Sequence, residues 1–100
     1  MLKRMWDKEK RAARKRREAW FLYILKCNDG SLYTGITKNV EKRLEMHAAG
    51  KAARYTRTRL PLELLYQESC KSRTDALMRE SYIKSLTKSK KLALVNSGKE

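Results

Sequence analysis

The chain has 100 residues, 41% of them hydrophobic and 36% charged, with 25 Lys and Arg set against 11 Asp and Glu. That size fits one domain with a single small core, and no run approaches the ~20 apolar residues that would cross a bilayer. A formal charge of +14 points to a polyanionic partner, nucleic acid first and anionic membrane second.

Residues 1–18 (MLKRMWDKEKRAARKRRE) hold nine basic and three acidic residues, net +6, without the apolar segment and cleavage site of a secretory signal. They read as a basic N-terminal extension, helical or disordered: a nucleic-acid arm, a membrane-surface helix, or an added extension. The first is favoured because the body is basic too. Residues 19–97 read as the folded domain and 98–100 as a tail, the expectation being a cytoplasmic monomer with no membrane partner. Two distant cysteines, Cys27 and Cys70, and a single histidine argue for reduced thiols rather than a zinc site.

Residues 21–25 (FLYIL) and 32–36 (LYTGI) flank Asn28-Asp29-Gly30, which signals a hairpin. A two-residue turn at Asp29-Gly30 would set Tyr23 and Tyr33 on opposite faces. A three-residue loop with Gly30 left-handed pairs Cys27 with Ser31 instead. It gathers Leu22, Ile24, Leu32 and Ile36 on one face and both tyrosines on the other. The second register is expected, because a one-residue slip would scatter the aliphatic side chains.

Asn39 caps a helix predicted over 40–49 and stopped by Gly50, with Val40, Leu44 and Ala48 as its apolar line and Arg43 and His47 on an adjacent one. The basic loop KAARYTRTRLP follows, and Pro61 prepares a strand over 62–68. Ser72 caps a helix predicted over 73–86, with Ala76, Leu77 and Ile83 on its buried side and Glu80 inside that arc. A last helix over 89–95 adds Leu92 and Val95 to the core. The order β-β-α-β-α-α predicts an α+β domain, a small three-stranded antiparallel sheet flanked by helices.

Glu80 stands out, because a carboxylate among apolar neighbours carries a desolvation cost unless cations or donors meet it. It pairs with an arginine or turns to solvent, or else it holds a divalent ion, since magnesium can take one carboxylate and fill its shell with water and phosphate. Arg43 and His47 are either a solvated face or, turned to the hairpin, a phosphate clamp and a proton carrier. Tyr23 and Tyr33 are packing residues or catalysts. A phenol with an ordinary pKa of about 10 becomes a useful base where cations lower that value. Gly35 would leave room beside Tyr33 for a substrate backbone. Lys51, Arg54, Arg57 and Arg59 interleave with Tyr55 in the basic loop, a pattern suited to tracking a backbone and stacking a base, and Lys42 extends that charge.

In order and spacing these residues resemble the GIY-YIG nuclease domain, in its compact stand-alone bacterial form, over roughly residues 20–95. Phe21-Leu22-Tyr23 stands in the GIY slot and Tyr33-Thr34-Gly35 in the YIG slot. Arg43 follows ten residues after the second tyrosine, His47 four later, and Glu80 on a later helix. The first glycine is replaced by Phe21 and the central isoleucine of YIG by Thr34, changes that remove no reacting atom. The resemblance implies metal-dependent hydrolysis of nucleic-acid phosphodiesters, DNA expected over RNA, with one Mg2+ or Mn2+ ion on Glu80. It implies that Tyr33 activates water with Tyr23 as hydrogen-bonding partner, that Arg43 clamps phosphate and that His47 supports proton transfer. Asn96 is a candidate match for an asparagine that some members use. With no second DNA-binding domain in this sequence, weak sequence preference is expected. Two other readings stand beside the enzyme: a non-catalytic nucleic-acid-binding module on the same fold, and a basic interaction protein that docks through its leader.

Overall fold

The structure, a computed structural model, describes residues 19–97; the expected basic arm at 1–18 and the tail at 98–100 lie outside the described residues. Strands β1 (Trp20–Lys26) and β2 (Leu32–Thr37) form the hairpin. Its loop has three residues: the Cys27 N–H donates to the Ser31 carbonyl at 2.8 Å, the Gly30 N–H to the Cys27 carbonyl at 2.9 Å, and Gly30 takes φ +84°. Tyr23 therefore sits opposite Gly35 and Leu25 opposite Tyr33. Both tyrosines share one face, and Leu22, Ile24, Leu32 and Ile36 share the other.

β3 (Glu63–Cys70) pairs with the far side of β1, so the antiparallel order is β2-β1-β3 with β1 in the centre. The register slips between Ile24, opposite Tyr66, and Leu25, opposite Leu64. The extra residue at this bulge is Leu65. It lets Leu64 stay beside Leu25 on the tyrosine face while Leu65 and Tyr66 pack on the other.

Helix α1 (Val40–Ala48) starts at Asn39, whose side chain accepts from the Lys42 N–H at 3.0 Å. It ends in a Schellman arrangement: the Gly50 N–H donates to the His47 carbonyl and the Lys51 N–H to that of Met46. Its buried residue is His47, whereas Val40 and Leu44 of the expected apolar line are half-buried and Ala48 is exposed. The loop expected to lack structure contains one short helix, α2 (Arg54–Arg57). Four residues are one turn, too few to show a period in the sequence.

Helices α3 (Arg73–Lys84) and α4 (Lys88–Ser97) cover the aliphatic face. There Leu22, Ile24, Tyr66, Ile83 and Leu94 form the core, flanked by Leu32, Ile36, Leu65 and Val95. Full burial of each aliphatic side chain contributes about 1.5–3 kcal/mol. Two expected core residues face outward, Leu77 at 38% and Leu92 at 36% exposure. On α3 the inward line runs Ala76, Glu80, Ile83, and Leu77 lies a hundred-degree step to its side. On α4, Leu94 is the buried residue, and Leu92, two residues earlier, points nearly the opposite way, beyond half-buried Val95 at the edge of the packed face. Across the α3–β3 contact, Arg79 Nε donates to Glu68 at 2.7 Å and the Tyr66 hydroxyl donates to the same carboxylate. Cys27 and Cys70 are free thiols, and among the described residues no helix is long and apolar enough to cross a membrane.

Candidate active site

The hairpin register delivers two phenols to one sheet face, with ring centroids 6.4 Å apart. Tyr23 is 1% exposed, and its ring leans over its cross-strand partner Gly35. A Cβ at that position would meet the Tyr23 hydroxyl oxygen at 2.6 Å and Cζ at 2.7 Å. The space that the sequence assigned to a substrate beside Tyr33 is thus filled by the neighbouring phenol.

Helix α1 roofs this face. His47 stands edge-on to both tyrosine rings, 5.7 Å from Tyr23 and 5.4 Å from Tyr33 by centroid. Its Nε2 is 2.8 Å from the Tyr23 hydroxyl, and its Nδ1 is 2.9 Å from Thr56 Oγ1. Burial pushes the Tyr23 phenol above its ordinary value. The Arg43 guanidinium pulls it down, while Tyr33 and Glu80 add to the rise. Burial likewise pushes the His47 imidazole down, and the Arg43 charge adds to that effect. For Tyr23 the expected lowering by cations is outweighed by desolvation, so at neutral pH the phenol keeps its proton and the imidazole is uncharged.

Arg43, one turn before His47 on the same helix, has a buried Nε with no hydrogen-bond partner. Glu80 comes from α3, and its charge is felt at Tyr23. Its side chain is 19% exposed, and Oε2 pairs at 3.3 Å with Lys84, itself 54% exposed. The arginine next to it in sequence, Arg79, turns instead to Glu68. The five expected site residues therefore come from four elements and gather around the Tyr23 phenol, through direct contact, ring packing or charge.

The basic loop docks beside them. Tyr55 stacks on Tyr33 with centroids 6.1 Å apart, and the Arg59 guanidinium lies 3.9 Å from the centre of the Tyr55 ring. Arg59 Nε also donates to Asp29 at 3.0 Å and Nη1 to the Tyr55 carbonyl at 2.8 Å. The hairpin tip thereby clasps the loop, reinforced by Asn28 Nδ2 donating to the Leu60 carbonyl at 2.8 Å. Hydrogen bonds from Ser31, with help from Arg59, lower the Asp29 carboxyl to about 2. Tyr55 and Arg59 are thus tied into the scaffold, while Lys42, Lys51, Arg54 and Arg57 are exposed, as is Asn96 on α4. Beyond His47, a cavity of about 540 Å³ is walled chiefly by Leu25, Leu44, Leu60, Leu62 and Leu64. The sequence reading passed over Thr56, because a threonine within a basic run carries no signal of a buried partner.

The sheet order, the helices placed on both its faces and the tyrosine-bearing hairpin define the class: small α+β domains that build a polar centre on one side of a three-stranded sheet. Within that class the chain belongs to the GIY-YIG catalytic domain family, whose family model matches residues 19–93. The chain is 47% identical over 85 residues to UPF0213 protein DP2720 of Desulfotalea psychrophila, covering 84% of this chain and 77% of that protein. It is 50% identical over 78 residues to UPF0213 protein SERP0126 of Staphylococcus epidermidis, covering 78% and 95%. The solution NMR structure of UPF0213 protein BH0048 from Bacillus halodurans superposes with a TM-score of 0.52 at 42% identity, over 78% of this chain and 83% of that one. Protein EF2693 of E. faecalis gives 0.53 at 37% identity, over 76% and 82%. Family membership supports endonuclease chemistry on nucleic acid as the coarse activity.

Proposed function

We propose that the chain is a divalent-metal-dependent endonuclease that hydrolyses phosphodiester bonds, with DNA ahead of RNA as substrate. The observation that carries this reading is the meeting of groups at Tyr23. His47 Nε2 lies 2.8 Å from its hydroxyl, and the phenol feels both the Arg43 cation and the Glu80 carboxylate. A purely structural tyrosine has no need of a histidine, an arginine and an acid at once.

Arg43 clamps the phosphate. Its unpartnered buried Nε already carries a desolvation cost that a phosphate oxygen would relieve, and its planar fork suits two such oxygens. Tyr33, half-buried where Tyr23 is fully buried, orients and activates the attacking water. A bond forms from that oxygen to phosphorus as the bond to the leaving oxygen breaks, and Arg43 holds the charge that builds on the non-bridging oxygens. The proton lost by the water is taken up through the phenols. Tyr23 passes its own proton to uncharged His47 Nε2, 2.8 Å away, and is reprotonated from the water side, while the leaving oxygen takes its proton from solvent. Exposed Lys42, Lys51, Arg54 and Arg57 track the flanking backbone.

The residues fit a magnesium or manganese ion in a minimal way. Among the described residues no group of three or more His, Cys, Asp and Glu is placed to hold a metal, but an ion that keeps most of its water needs one carboxylate, and Glu80 offers it. Its Lys84 partner is exposed enough to swing aside. When bound, such an ion supplies Lewis-acid polarisation of the phosphoryl oxygen.

Labelled single-stranded, duplex and branched DNA, incubated with and without magnesium, tests the reading. Cutting is expected only with metal; Glu80→Ala abolishes it, and Arg43→Ala slows it by about 100- to 1,000-fold. Tight binding with no cleavage under any condition would replace the enzyme with a binding module.

A further inference from the structure

We infer that Thr56 is a positioning residue that sets the tautomer of His47 and thereby makes Nε2 a standing acceptor for the Tyr23 hydroxyl. Its value to catalysis rests on the nuclease reading; the tautomer itself does not.

Thr56 is fully buried on the one-turn helix α2. Its Oγ1 lies 3.2 Å from the Ala53 carbonyl, to which it donates, and 2.9 Å from His47 Nδ1. A hydroxyl has one proton and two lone pairs. With the proton committed to Ala53, only a lone pair faces the imidazole, so Nδ1 must carry the hydrogen. An uncharged imidazole has one N–H, which leaves Nε2 with its lone pair toward Tyr23, 2.8 Å away.

The other end of the chain of bonds agrees. A phenol has one proton to give, and the Arg43 charge acts on the Tyr23 hydroxyl. A nearby cation favours a lone pair of the phenol oxygen turned toward it and the proton turned away, and His47 Nε2, 2.8 Å away, is the acceptor in reach. The opposite tautomer would point an N–H at an oxygen already facing a cation, and would give up the bond from Thr56 to Ala53. Hydrogens therefore run one way: Tyr23 to His47, His47 to Thr56, Thr56 to the Ala53 carbonyl.

This places part of the site in the basic loop. Thr56 lies between Tyr55, which stacks on Tyr33, and exposed Arg57. The segment expected to meet a polyanion is the one that orients the histidine.

Because the chain has a single histidine, long-range 1H–15N correlation spectra read this imidazole alone. The full-length wild-type protein at neutral pH should show the Nδ1–H pattern, Thr56→Ser should keep it, and Thr56→Val should shift it to Nε2–H or a mixture. On DNA, Thr56→Val should lose about 10- to 100-fold in kcat with KM little changed, and Thr56→Ser should restore most of it. A wild-type Nε2–H pattern, or a pure Nδ1–H pattern retained in Thr56→Val, overturns the assignment. If Thr56→Val does not fold, the wild-type and Thr56→Ser spectra still decide it. If the spectra behave as expected while no form cuts DNA, the nuclease reading fails and the positioning role stands.

Discussion

A hydrogen in place of a side chain at Gly35 admits the Tyr23 phenol. A methyl there would sit 2.6 Å from the hydroxyl oxygen, against a ring held by strand pairing and by His47. Gly35→Ala should therefore cost about 1–3 kcal/mol of stability, seen as a lower urea midpoint, together with loss of most activity. The identity of this glycine was legible in the sequence, but its occupant was not. Which phenol leans over it depends on a cross-strand pairing and a side-chain angle that no local pattern encodes. His47 gives a second test at this scale. Its folded pKa lies below the ordinary value of about 6.5. Between those two values the unfolded chain binds more protons, so stability rises with pH. The contribution is complete above about pH 6.5 and is lost as pH falls through the folded value. Urea midpoints should drop between pH 7 and pH 5, and His47→Gln should flatten that drop; a midpoint that rises on acidification would contradict the assignment.

Among the elements, the hairpin and the two capped helices were readable because their signals are local. Gly30, Asn39 and Ser72 act within three or four residues of themselves. The bulge at Leu65 and the single turn α2 were not, since the first follows from what lies across the sheet and the second is too short to show a period. The same holds for the polar contact between α3 and β3, where Glu68 receives Arg79 and Tyr66 together, both acid and base being about one-fifth exposed. Arg79→Met leaves that carboxylate without its cation, and thermal unfolding should report a loss of about 1–3 kcal/mol, less than for a fully buried pair. The same cluster raises the Tyr66 phenol, by burial first and then by Glu68, to about 12. A raised phenol contributes stability below its ordinary value of about 10 that fades as pH climbs to the folded one.

Over the whole molecule, charge and constellation were the legible parts. The five candidate site residues could be singled out by type and spacing, whereas the loop's grip on the hairpin tip through Asp29 and Arg59 needed the folded chain. Of the formal charge of +14, +6 belongs to residues 1–18. Removing that segment should weaken binding to DNA and make the plot of log affinity against log salt shallower by several units, measured by anisotropy between about 50 and 200 mM salt; an unchanged slope would rule out a role for it in phosphate contact. Strand β1, bonded along both edges, holds Tyr23 in the part of the fold that amide exchange should find slowest to open. The partner of its histidine rides on one turn of helix at the periphery. The centre thus joins a doubly bonded strand to a single turn of helix, and a lifting of that turn would idle the imidazole while every strand stayed in place.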